Sequence, residues 1–162
     1  LSIIFLMSYN KNLSLKSLQF VHKAMLISQV IFALVAFLLL FGNKFIPPFQ
    51  QYDRVLQLML LLFSFGGFYF GTFYILKRKV EELKISNLNP REKFSRYRRA
   101  CIVQWALIHG PCLFSIMCFL LVGNISFLAL AVTLMVLFAM MGPSLIKIQL
   151  LLELSEEDLA GL

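Results

Sequence analysis

One imidazole stands in the middle of a long uncharged run. His109 lies within Trp105-Ala106-Leu107-Ile108-His109-Gly110-Pro111, ten residues past Arg99. At 1.5 Å per helical residue it sits roughly 15 Å deep, near the centre of a hydrocarbon layer about 30 Å thick. An ionisable group at that depth is costly and marks a functional hypothesis. Pro111 has no N–H and clashes with the carbonyl of Leu107, so the helix is expected to kink there and to free that carbonyl. Gly110 beside it would let a neighbouring helix come close. Gln104, Trp105 and Ser115 fall within about two turns, and Gln29 from an earlier run could meet the same depth. The chemistry open to His109, Gln104, Gln29 and Ser115 is proton handling, ligand contact or a hydrogen bond between helices.

Other chemistry has little to draw on. One histidine without a carboxylate makes a poor metal site, so neither metal nor cofactor is expected. There is no HExxH, no phosphate loop, no nucleophile elbow and no acid in any of the long apolar runs. General acid–base work normally needs a second positioned group. Cys101, Cys112 and Cys118 share one run and read as small apolar core residues. The second histidine, His22, lies at the edge of the first run. The reading is therefore of a non-enzymatic protein without catalytic residues.

The elements that must place His109 are four uncharged stretches, Ala24–Phe41, Val55–Leu76, Ala100–Val122 and Ile125–Ile146, each 18 to 23 residues long. Each is long enough to cross a bilayer as a helix. The chain has 162 residues, is 60% apolar and only 14% charged, more apolar surface than a soluble domain of this size hides. The expected fold is all-α: a four-transmembrane-helix bundle of two helical hairpins in a single integral membrane domain.

Thirteen of the fifteen basic residues lie before the first run, between the second and third, or after the fourth; only Lys44 and Arg54 occupy the other two connections. The positive-inside rule then puts both termini and the central segment in the cytoplasm. The net charge of +7 belongs beside the membrane, where it suits anionic lipid headgroups, and does not point to nucleic acid.

Between the runs, Leu15, Leu18 and Val21 recur at helical spacing, so a short surface helix is expected over 9–23. Leu1–Leu6, ahead of Met7, lacks a basic start and is too short for a signal peptide; translation from an upstream alternative start is the simpler expectation, with Met7 as a candidate natural beginning. Pro47-Pro48 stop any helix, and Asp53-Arg54 mark the start of the second run. Gly67 and Gly71 form a G-x-x-x-G pair suited to close helix packing.

The segment 77–99 reads as a basic helical hairpin standing off the membrane. Val80 and Leu83 continue a helix, Asn87-Leu88-Asn89-Pro90 breaks it, and the next helix begins with Asn89 as N-cap, Pro90 first and Glu92 third. Gly142-Pro143 should bend or end the fourth run. Ser155 should cap a last turn whose Glu156, Glu157 and Asp158 face the basic hairpin.

The halves resemble each other at a shift of 81: Leu26-Ile27 falls on Leu107-Ile108, Leu39-Leu40 on Leu120-Leu121, and Gly42-Asn43 on Gly123-Asn124. This pattern suggests a parallel internal repeat in which Ser28 takes the place of His109.

The stretch from Trp105 to Pro111, followed by Leu113-Phe114 and by Phe119-Leu120-Leu121-Val122-Gly123-Asn124, resembles a small four-span membrane family of Bacteroidetes-type bacteria. The resemblance covers most of the chain and is strongest from Arg98 to Met141. Members tend to carry Glu where His109 stands, and an ending like Leu154-Ser155-Glu156-Glu157-Asp158. It implies a multi-pass protein of the bacterial inner membrane. Ala106-Leu107-Ile108-His109 is also faintly similar to the Ala-Leu-x-Glu stretch of rotary-ATPase proteolipid (c) subunits. The carboxylate and the glycine-rich helix of those rings are missing here.

The functional expectation is a small accessory or assembly subunit that binds another membrane protein or its own copies. The alternative is a proton-linked transporter or channel using His109.

Overall fold

A computed structural model describes residues 2–42 and 45–154, with side chains from residue 15 onward. The tail that begins at Ser155, the side chains of the opening residues, and Asn43 in the first Gly-Asn pair lie outside the described residues. The chain is all-helical. Its helices are α1 (Ser2–Phe41), α2 (Asp53–Tyr69), α3 (Arg78–Lys84), α4 (Pro90–Val122), α5 (Ile125–Met140) and α6 (Leu145–Leu152). A π-helical stretch, Phe70–Lys77, joins α2 to α3 without a break. Three of these rods are long and apolar enough to cross a membrane: Leu15–Phe41, Gln50–Lys84 and Pro90–Val122. The pair α5 and α6 makes a fourth if its 71° bend is counted within one span.

Several boundaries follow local chemistry. Asn89 caps α4 by accepting from the Glu92 backbone N–H at 2.8 Å, with Pro90 in the first turn where its missing N–H costs nothing. Gly123 ends α4 at φ 79°, and a side chain there would strike Pro47. Asn124 then caps α5, and its amide also donates to Asp53 at 2.8 Å, tying the start of α2 to the α4–α5 turn. At the far end α5 stops at Met140, and Ser144 caps α6 beyond Gly142-Pro143.

Three arrangements differ from the sequence reading. The expected surface helix over 9–23 is not separate, because α1 runs unbroken from Ser2 to Phe41. Nothing between Leu15 and Ala24 carries a break signal, and Leu18, His22, Gln29 and Ala36 form one buried stripe at spacings of four and seven. The basic hairpin does not stand free. Val80 and Leu83 of α3 pack with Phe94 and Tyr97 of α4, with Ile148 and Leu152 of α6, and with Leu18 of α1. Apolar residues on its inner side need cover, and the bend after α5 brings α6 back to supply it.

Nor are there two equivalent hairpins. α4 and α5 pack along their length, whereas α1 and α2 scarcely touch among the described residues. Both instead lean on α4. Half of the most apolar stretch of α4 is buried, against 11% and 17% for the first two rods. α4 is the axle of the fold.

The α2–α4 seam runs through the glycine pair. A side chain at Gly67 would overlap the Leu107 carbonyl, and one at Gly71 would press on Gln104 at 3.3 Å. Between helices in lipid the gain comes from close packing rather than from water exclusion, so the lost Cβ atoms matter. Gly66, one residue away, faces nothing within 4 Å. Gly67→Val should therefore destabilise the protein by about 1–3 kcal/mol through overpacking, while Gly66→Val should leave it nearly unchanged. Thermal unfolding in mild detergent compares the two, and equal Tm values would remove the seam from the account.

Candidate functional site

The buried stripe of α1 meets α4 in a column of polar and aromatic side chains. Both helices run in the same direction, since His22 packs beside Trp105 and, seven residues on, Gln29 meets His109. α5 runs the other way and presents Phe138 between the two histidines.

His109 is half-buried on α4. Its Nδ1 lies 2.7 Å from Nε2 of Gln29, which is fully buried. An amide N–H donates, so Nδ1 accepts and the ring proton sits on Nε2. This leaves Gln29 Oε1 buried with no partner among the described residues. Exchanging the amide's O and N reverses the donor and orphans the nitrogen instead, so either way the pair holds one unsatisfied amide atom. Trp105 Nε1 and Ser64 Oγ are two further buried polar atoms without a partner among the described residues.

The other candidates join helices by separate bonds. Gln104 donates through Nε2 to Thr72 Oγ1 at 3.2 Å, reaching the π-helical stretch. Ser115 donates to the Phe127 carbonyl at 2.6 Å, one turn past Cys112, which points at the Ala131 carbonyl. These two contacts lie along the α4–α5 seam, away from Gln29. The four candidate residues thus spread over all three faces by which α4 is packed, and only Gln29 and His109 touch each other.

Pro111 lies inside α4, and the helical run passes through it unbroken. The Leu107 carbonyl, whose usual donor is the missing Pro111 N–H, is the group against which Gly67 packs. Gly110 departs from its expected role. No helix comes within 4 Å of where its Cβ would be, and the close approach is made at Gly67 and Gly71 instead.

Sequence reasoning missed the second polar centre, at the bend after α5. His22 is buried and donates through Nε2 to the Phe138 carbonyl at 2.9 Å, with its ring stacked on the Phe138 ring at 4.6 Å. Gln19, three residues earlier on α1, donates to the Pro143 carbonyl at 3.1 Å. Lys147 reaches back to the carbonyls of Met140 and Gly142 at 2.8 and 3.3 Å. A helix end leaves four carbonyls unpaired, and here side chains of α1 and α6 serve those at and just beyond the end of α5. The available signal was spacing: His22 lies two turns before Gln29 and so shares its face.

The arrangement can bond helices to one another and hold a sharp bend. Among the described residues no three of His, Cys, Asp and Glu converge as a metal would need. A double-mutant cycle on Gln29→Leu and His109→Leu, read by unfolding in detergent, should give a coupling of about 1 kcal/mol, in the range of interhelical hydrogen bonds in membranes. Zero coupling would reduce the pair to mere proximity. The chain matches no family model, no curated protein and no solved structure.

Proposed function

We propose that this is a non-enzymatic, multi-pass protein of a bacterial inner membrane, with both termini in the cytoplasm, acting as an accessory or assembly subunit of a membrane complex. Four spans are counted by taking α5 and α6 as one bent span. The observation that carries the reading is the Gln29–His109 bond. A carrier needs a mid-membrane imidazole that faces water and exchanges protons. Here its Nδ1 is taken up by a buried amide, and no acid lies in the long apolar runs to relay a proton. What remains for such a molecule is to bind other membrane components.

A second reading, proton-linked transport through His109, is favoured by one fact: half-burial leaves part of the imidazole uncovered. The two separate on one preparation. The protein purified from its own membranes in mild detergent should carry a stoichiometric partner, and liposomes containing it should show no pH-driven proton flux. A homo-oligomer with flux abolished by His109→Ala would overturn the subunit reading.

Topology is checked by labelling. The three native cysteines are buried, so a single cysteine at Asn87→Cys or Phe49→Cys reports alone. An impermeant maleimide should reach the first only from the cytoplasmic side and the second only from the opposite side.

A further inference from the structure

The basic end of the molecule contains an open cleft of about 480 Å³ between α4 and the π-helical stretch with α3. Its charged rim is Lys79, Arg96 and Arg99 against the single carboxylate of Glu92. Arg96 pairs with Glu92 at 2.9 Å and Lys79 with Glu82 at 2.7 Å, each a partly exposed pair of neighbours on its own helix. Such pairs are weak and exchange readily for a stronger anion. Arg99 makes no ion pair among the described residues. Ser95 adds a hydroxyl, and the floor turns apolar through Ile75 and Val103.

The cleft continues as a strip on α4. Helical rotation of 100° per residue places Arg99, Val103, Ala106, Gly110, Phe114 and Met117 on one side. That side lies between the face that meets α2, through Gln104, Leu107 and Pro111, and the face that meets α1, through Trp105 and His109. Because α1 and α2 scarcely touch, the strip is left open. Val103 is 46% exposed, Phe114 38% and Met117 40%, and a side chain at Gly110 would meet nothing within 4 Å. The small residues Ala106 and Gly110 make its middle a trough. From Val103 to Phe114 is eleven residues, about 16 Å of helix, close to half of a hydrocarbon core about 30 Å thick.

We propose that this cleft and trough form a binding site for one anionic glycerophospholipid, its phosphate held by Lys79, Arg96 and Arg99 and an acyl chain lying along Val103, Ala106 and Gly110. Charge chooses the occupant. Lys79, Arg96 and Arg99 outnumber the carboxylates of Glu82 and Glu92, leaving Arg99 without an ion pair among the described residues at the end where the apolar strip begins, and a molecule with one anionic head and a chain of leaflet length matches both parts. Basic recesses between membrane helices take anionic headgroups by the same electrostatics. The proposal does not depend on the subunit reading or on which side of the membrane the basic end faces.

The test uses the full chain in mild detergent, offered equal amounts of phosphatidylglycerol and phosphatidylcholine, with retained lipid counted by native mass spectrometry. Wild type should keep one phosphatidylglycerol in preference to phosphatidylcholine by about tenfold, the scale set by one to two juxtamembrane charges. Arg96→Gln with Arg99→Gln should abolish the preference. Arg91→Gln with Arg98→Gln removes the same charge from exposed positions outside the cleft and should leave it intact. Gly110→Leu and, separately, Ala106→Leu fill the trough with every charge in place and should each release the lipid; unchanged elution and Tm certify folding. Equal loss in both double-arginine variants would reduce the effect to diffuse attraction and overturn the site. Retention of lipid in both trough variants, or its displacement by millimolar inorganic phosphate, would mean a plain phosphate site and overturn the lipid assignment.

Discussion

A backbone carbonyl cut loose inside an apolar medium must find a partner or a close cover within the protein, and this structure is organised around two places where that happens. At Pro111 the Leu107 carbonyl loses its helical donor. At Gly142-Pro143 the end of α5 exposes several carbonyls together. The first is covered by Gly67, whose missing side chain lets α2 lie against α4. The second is served by His22 and Gln19 from α1 and by Lys147 from α6. Each break thereby fixes a neighbour, and the two together place α1, α2 and α6 around α4 and α5.

This accounts for the distribution of polar residues. In lipid the helices gain little from being apolar, so specific positions decide the contacts. Gln104 binds Thr72, Ser115 binds the Phe127 carbonyl, and Gln29 binds His109, so that the faces of α4 toward α2, α5 and α1 each carry at least one bond. α1 contributes Gln19, His22 and Gln29 from a single stripe, so one helix supports both the bend after α5 and the middle of α4. The remaining side of α4 has no such bond among the described residues, and the small residues Ala106 and Gly110 lie at its middle.

The functional reading rests on the same economy. Gln29 with His109, Gln104 with Thr72, Ser115 and His22 hold another helix, Ser28 and Thr133 bond within their own, and Ser64 Oγ and Trp105 Nε1 have no partner among the described residues. His109, the residue with most chemical promise, has one nitrogen engaged by Gln29 and lacks an acid to work with. Its surroundings fit a bonded helix contact better than a proton path, which is why we propose binding rather than transport.

Much was legible in the sequence because it depends on composition and on the nearest few residues. Uncharged runs set the all-helical class; three of the four runs lie in rods long and apolar enough to cross a membrane, and the fourth lies in the bent pair α5 and α6. Asn89-Pro90 with Glu92, Gly123-Asn124 and Gly142-Pro143 set helix ends, since caps and breaks are local chemistry. The importance of Gly67, Gly71 and Pro111 was also legible, as residue types with a single strong steric consequence. What only the tertiary structure decided is which faces meet. The continuity of α1, the turning back of α6 over Val80 and Leu83, the separation of α1 from α2 and the pairing of Gln29 with His109 across eighty residues all depend on how rods rotate against each other. Leucine-rich helices present similar apolar surface all round, so their rotation is set by a few distant contacts, such as His22 on Phe138, that no local pattern contains.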